Sequence, residues 1–156
     1  MYSLPILNST MPIQSAKRAY RWAAVFTLFC GVAIYAFFRE VSNFLLFRFF
    51  PKPNLFSGLP LHIQNMNFAI SFFIFHGPDV FWLLSGIFFI RSVWLVDKKW
   101  MQIYIVVFSL IAIANELSQI SARMPGTFDL FDLLSLCIAA FMESAMYYLF
   151  IHRRIK

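Results

Sequence analysis

Charged residues are scarce in this chain. Asp, Glu, Lys and Arg make up 13% of its 156 residues, whereas 61% are hydrophobic and 20% are aromatic. A soluble domain is usually about a quarter charged and about half apolar, so the composition excludes an ordinary soluble protein. Together with a mean hydropathy of +0.72, it predicts one integral membrane domain over residues 1–156.

Cysteine is nearly absent as well. Cys30 and Cys137 lie inside apolar runs of different predicted helices, where a thiol behaves as a small hydrophobic group. This placement excludes a disulfide framework and a cysteine metal site. His62 and His76 are followed by several carboxylates, but their spacing is not that of a metal motif, so no metal ion or other cofactor is predicted.

The sequence also lacks a recognisable catalytic motif. Ser118, Ser121 and Ser135 have no histidine at helical spacing, and there is no GxSxG, HExxH or glycine-rich phosphate loop. These absences favour a protein without enzymatic activity, although an enzyme without a known motif remains an alternative.

The basic residues explain the formal net charge of +6 without a nucleic-acid partner. They cluster beside the apolar runs, as the positive-inside rule describes for cytoplasmic segments. The cytoplasmic group is predicted to be Lys17, Arg18, Arg21, Lys98, Lys99, Arg153, Arg154 and Lys156. This distribution predicts that the N-terminus and the C-terminus are both cytoplasmic.

Four apolar runs are long enough to cross a bilayer. They predict an all-α four-helix bundle with spans at about 22–38, 79–96, 101–119 and 129–151. Gly77-Pro78-Asp79 is expected to break the backbone and to begin the second span, because Pro fits the first turn of a helix. Residues 41–76 then form an irregular connection, in which 68–75 is an interfacial or re-entrant segment.

A polar stretch separates the last two apolar runs. Glu116, Gln119 and Arg123 are spaced to share one face of the incoming helix, and Asp129 and Asp132 share one face of the outgoing helix. Carboxylates are costly in so apolar a chain, so these groups need a structural or functional reason.

The link between these two helices has the residues of a tight turn. Pro125-Gly126 is a turn signal, and Thr127 or Asp129 can cap the helix that follows it.

The predicted topology brings the ends of all four spans together in a polar cup on the extracytoplasmic side. His76 lies at this end too, and the side chains that we predict to bind a ligand there are Arg39, Asp79, Glu116, Gln119, Arg123, Asp129 and Asp132. Arg39 or Arg123 would contact a phosphate. The alternative is that these residues only cap helices and anchor the bundle at the interface.

Two further charges are predicted at a matching depth. Glu143 lies about 16 Å beyond Asp132, and Arg91 lies about 18 Å beyond Asp79, at 1.5 Å per helical residue. An unpaired charge at that depth is costly, so an ion pair between Arg91 and Glu143 is predicted. The alternative is that Arg91 extends to the cytoplasmic surface.

The pattern Glu116-x-x-Gln119, Pro125-Gly126 and Asp129-x-x-Asp132 resembles the VanZ-like family of small bacterial membrane proteins. Pro78-Asp79-Val80-Phe81-Trp82 is also similar to an opening found in divergent members, so the resemblance covers about residues 77–143. The family is associated with resistance to the glycopeptide teicoplanin and has no established chemical mechanism. The resemblance implies a role in the cell envelope, at the outer face of the bacterial cytoplasmic membrane.

Three functions follow as hypotheses. In the first, the polar cup recognises a lipid headgroup, a lipid-linked envelope glycan or a partner protein. In the second, the chain is a structural or accessory subunit of a larger membrane complex. In the third, it is a membrane enzyme acting on a lipid-linked substrate, with Glu116 or Asp132 as the general base.

Overall fold

The computed structural model describes residues 12–38, 67–121 and 128–151. Their regular structure is entirely helical, which confirms the all-α prediction. The four α-helices are α1 (Ile13–Phe38), α2 (Phe68–Trp94), α3 (Lys98–Ser118) and α4 (Leu130–Met146). A 3₁₀ turn, Gln119–Ser121, follows α3, and a π-helical turn, Tyr147–Ile151, follows α4.

Three of these helices are long and apolar enough to cross a membrane, namely α2, α3 and the segment Leu130–Leu149. Their length and composition are those of membrane-spanning helices. The predicted first span, 22–38, lies inside α1, and its passage through the bilayer stays a prediction.

Short polar side chains set the starts of three helices. Asp97 accepts a hydrogen bond from the Trp100 backbone N–H at 3.3 Å, and Asp129 accepts one from the Phe131 N–H at 2.8 Å. Asn67 caps α2 in the same way, through the Ala69 N–H at 3.3 Å. Of the two caps proposed for α4, the structure therefore uses Asp129. Each cap satisfies an N–H group that the helix itself leaves unpaired.

The predicted break at Gly77-Pro78-Asp79 is wrong. Pro78 lies inside α2, which runs without interruption from Phe68 to Trp94, so residues 68–75 belong to this helix and are not a separate segment. Proline removes one backbone hydrogen bond, but unwinding the backbone in an apolar environment would leave several polar groups unpaired. Close packing of α1 also supports the helix here, because Gly31 lies against the Pro78 carbonyl.

Helix α1 packs antiparallel along α2. The Ser85 hydroxyl donates to the Ala24 carbonyl at 2.9 Å near the middle of the pair, and the Lys17 ammonium donates to the Val93 carbonyl at 3.4 Å near one end. Small α1 residues at this contact allow the two backbones to approach closely, as is common between membrane helices.

Helices α2 and α4 run in the same direction, and α3 packs against both of them in the opposite direction. Leu83, Ile87, Met101 and Leu136 form the centre of the shared core and are almost fully buried. Large apolar side chains elsewhere point outward, including Phe141, which is 74% exposed. This arrangement suits a bundle whose outer surface is in contact with lipid.

Two glycines of α2 give a matched test of this packing. A Cβ on Gly86 would lie 2.2 Å from the Phe108 ring, whereas a Cβ on Gly77 would lie no closer than 3.7 Å to its neighbours. We expect Gly86→Ala to lower the free energy of unfolding by about 1–2 kcal/mol. Gly77→Ala should instead raise it by up to about 1 kcal/mol, since alanine favours a helix.

Thermal unfolding of both variants in mild detergent checks this expectation. Equal melting temperatures for the two variants would show that α2 and α3 do not meet closely at Gly86.

Several predictions lie outside the described residues. They include the connection over residues 41–66, the turn at Pro125-Gly126, and both chain termini. The cytoplasmic orientation of the termini therefore stays a prediction.

Candidate functional site

A histidine–aspartate pair joins α2 and α4 at one end of the bundle. The Nδ1 atom of His76 lies 2.5 Å from an Asp132 carboxylate oxygen. His76 is 8% exposed, so its imidazole is taken out of solvent, and Asp132 is half-buried. The contact makes Nδ1 the proton-bearing nitrogen, so in the neutral ring Nε2 carries the lone pair and can accept a proton or a hydrogen bond.

Aromatic rings hold the imidazole in place. The Phe72 ring centroid lies 4.4 Å from that of His76, and the Phe131 centroid lies 5.9 Å away. Phe72 precedes His76 by one helical turn, and Phe131 precedes Asp132, so each helix supplies one ring beside its own polar group. These rings limit the access of water, which strengthens the electrostatic interactions of the pair.

A second carboxylate group connects α3 to the start of α4. Glu116 is 7% exposed, and its two oxygens accept hydrogen bonds from the Asp129 backbone N–H at 3.2 Å and from the Gln119 side chain at 3.1 Å. Asp129 in turn caps α4. The incoming and outgoing polar faces predicted from the sequence therefore meet at this end of the bundle.

The polar cluster formed by these five residues is rich in acceptors. It contains His76, Glu116, Gln119, Asp129 and Asp132, of which three are carboxylates. The described lysines and arginines lie elsewhere, in the first half of α1, near the end of α2 and at the start of α3. The α4 N-terminus offsets part of the negative charge. Such a cluster suits a ligand that donates hydrogen bonds or carries positive charge.

Three members of the polar cluster are also close enough to share a cation. One ligand atom each of His76, Asp129 and Asp132 lies within 4.8 Å of the others. All three side chains already have partners in the protein, since Asp132 contacts His76 and Asp129 caps α4. An ion would have to compete with both contacts.

The predicted Arg91–Glu143 ion pair is present deeper in the bundle. The arginine Nε and Nη2 atoms donate to the two Glu143 oxygens, each at 2.6 Å, which is the bidentate geometry that guanidinium groups favour. Arg91 is 2% exposed, and its guanidinium lies 3.8 Å from the centroid of the Tyr147 ring. Arg91 is thus neutralised inside the bundle and does not extend to the surface.

The remaining predicted site residues are only partly placed. Asp79 lies three residues beyond His76 on α2 and is half-buried. Arg39 and Arg123, the predicted phosphate contacts, lie outside the described residues.

His76 is not among the residues predicted to bind a ligand, although it was expected at the same end of the bundle. The wrong break at Pro78 made His76 the last residue of the irregular connection, so no helical face was assigned to it. With α2 continuous, His76 shares a face with Leu83, Ile87 and Arg91, at helical spacings of 7, 11 and 15 residues. That pattern could have identified it as a residue facing α4.

Comparison with known proteins adds no relative. No protein-family model, curated protein or solved structure matches the chain.

Proposed function

We propose that the polar cluster binds the head of a membrane lipid or lipid-linked glycan through groups that donate hydrogen bonds. The observation that carries this proposal is the buried His76–Asp132 contact of 2.5 Å, next to two further carboxylates. The Asp129 and Glu116 contacts already account for a cap and an interhelical link. His76 takes part neither in the α4 cap nor in the link between Glu116 and Asp129, so these two contacts do not explain its imidazole.

The acceptors favour a particular class of head. Carboxylate oxygens and the imidazole lone pair accept hydrogen bonds from an ammonium group or from sugar hydroxyls. A bare phosphate would be repelled by the carboxylates. A phosphate could still be held by Arg39 or Arg123, as the sequence predicts, in addition to the donor group.

The proposed setting is the bacterial cytoplasmic membrane. With both termini in the cytoplasm, the His76 end of the bundle faces the extracytoplasmic side. This placement agrees with the envelope role that the VanZ-like resemblance implies, and it puts the polar cluster at the level of lipid headgroups.

The test is to purify the tagged protein in mild detergent and to identify the retained molecules by mass spectrometry. We expect enrichment of a lipid whose head carries an amine or sugar hydroxyls. Asp132→Asn should weaken its retention by about 10- to 100-fold, since a hydrogen bond to a charged group contributes about 1.5–3 kcal/mol. Asp97→Asn, at the opposite end of the bundle, is the matched control and should retain the lipid.

Two results would contradict the proposal. One is equal retention by the wild type and Asp132→Asn. The other is a stoichiometric protein partner without an enriched lipid, which would support the accessory-subunit hypothesis instead.

A second candidate function is supported by the same pair. An aspartate that orients an imidazole through Nδ1 prepares Nε2 to act as a general base, so the site could hydrolyse or transfer part of a bound lipid head. His76→Gln distinguishes the two functions. If the protein is an enzyme, the wild type forms product, and His76→Gln binds the lipid but forms none. If it is a binding protein, neither the wild type nor His76→Gln forms product.

A further inference from the structure

An apolar groove runs along α2 and α4 below the polar cluster. Its volume is about 550 Å³, and the residues that define it are Val80, Leu84, Phe88, Ala139, Met142 and Tyr20. The first three lie on one face of α2, the next two on α4, and Tyr20 lies on α1.

The groove begins directly beside the polar cluster. Val80 is one helical turn beyond His76 on α2, and Ser135, which also lines the groove, is three residues beyond Asp132 on α4. Residues with these spacings lie on the same face of a helix. A molecule bound at the polar cluster therefore has a continuous apolar path into the bundle along the same two helices.

The other end of the groove lies beside Tyr20 and the Arg91–Glu143 pair. Tyr147 covers the guanidinium there, and Glu143 neutralises it. The Tyr20 hydroxyl is buried and has no hydrogen-bond partner among the described residues. An apolar chain can therefore end here without approaching an unpaired charge.

We propose that the ligand is a lipid and that the groove holds one of its hydrocarbon chains. This inference rests on the proposed function, because it takes the head to be bound at the polar cluster. A free sugar or a protein loop at the cluster would leave the groove without an apolar occupant.

The dimensions suit a single hydrocarbon chain. From Val80 to Phe88 the groove extends about 12 Å along α2, at 1.5 Å per helical residue, and its volume is about 550 Å³. A single hydrocarbon chain is thinner than a helix and has no backbone groups to satisfy.

The experiment labels the groove with a defined lipid. The probe is a phosphatidylethanolamine with a photoreactive diazirine on one acyl chain, and a glycosyl diacylglycerol with the same chain tests sugar hydroxyls against the amine. In purified wild-type protein, labelling is expected on peptides that contain Leu84 and Ala139. Phosphatidylcholine, whose head has no N–H donor, should compete at least tenfold less well than the unlabelled probe lipid.

Two tryptophan variants of α4 form the matched pair. Ala139→Trp fills the groove and should reduce its labelling by about tenfold, while Phe141→Trp changes a lipid-facing position and should leave it unchanged. Ala139→Leu, a smaller substitution, should give an intermediate loss and covers the case in which the tryptophan variant does not fold. Groove labelling that Ala139→Trp and Ala139→Leu leave at the wild-type level would overturn the inference.

Asp132→Asn separates this inference from the proposed function. If that variant loses the preference for phosphatidylethanolamine or glycolipid over phosphatidylcholine, the head site is supported. If it keeps the preference while Ala139→Trp abolishes labelling, the groove is supported and the head site is refuted. If labels fall on lipid-facing peptides while the preference depends on Asp132, the head site stands and the groove is refuted.

Discussion

Glu143→Gln is expected to destabilise this protein more than any other single change considered. Arg91 is 2% exposed and gives both guanidinium contacts of 2.6 Å to Glu143. Removing one partner of a buried pair leaves a charge without compensation, at a cost of about 3–5 kcal/mol. For a chain of this size, we expect the melting temperature to fall by roughly 10 °C.

The double variant Arg91→Met, Glu143→Leu tests the same argument in the opposite direction. It removes both charges and keeps apolar volume, so it should restore most of the lost stability, as apolar replacements of buried pairs often do. Both variants are measured by thermal unfolding in mild detergent. Asp97→Asn is the control, because it also changes a carboxylate to an amide and Asn caps a helix about as well as Asp. If Glu143→Gln costs no more than Asp97→Asn, the ion pair does not hold α2 to α4.

Glu116→Leu should produce the second largest loss of stability. Both Glu116 oxygens accept hydrogen bonds, one from the Asp129 backbone N–H and one from the Gln119 side chain. A leucine has no acceptor, so the Asp129 N–H would lose its partner. The expected cost is about 2–3 kcal/mol, because a buried donor is left without an acceptor.

The control for this prediction is Gln119→Ala. It removes one of the two donors and leaves both Glu116 oxygens in place, so it should cost less than about 1 kcal/mol in the same unfolding measurement. Equal losses in the two variants would indicate that the Glu116–Asp129 contact contributes little. Such a result would also remove the structural explanation for Glu116 and leave ligand binding as its role.

Local rules were sufficient for the α4 cap and for the buried pair. Asp129 is a short acceptor placed immediately before an apolar helical run, and it caps α4 in the structure. The Arg91–Glu143 contact followed from depth along two helices and the cost of an unpaired charge. Neither inference needed tertiary information beyond the order of the spans.

The failure at Pro78 has a tertiary cause. Local propensity penalises proline inside a helix, but the apolar environment and the close contact with Gly31 maintain the backbone there. That one error also concealed the orientation of His76 toward α4. The groove was equally beyond sequence reasoning, because it depends on how α4 is spaced from α2 and on the position of Tyr20 at its end.

The most direct test of the central claim is the melting temperature of the purified wild type and of Asp132→Asn, each with and without the lipid that the wild type retains. A bound ligand stabilises the folded state in proportion to the logarithm of its concentration. Without lipid, we predict that Asp132→Asn melts at a lower temperature than the wild type but loses less than Glu143→Gln, because its contact with His76 loses a charge. On adding lipid, we predict a rise in the wild type alone. Equal rises in both proteins, or a loss in Asp132→Asn as large as that of Glu143→Gln before lipid is added, would contradict a ligand site at the His76–Asp132 pair.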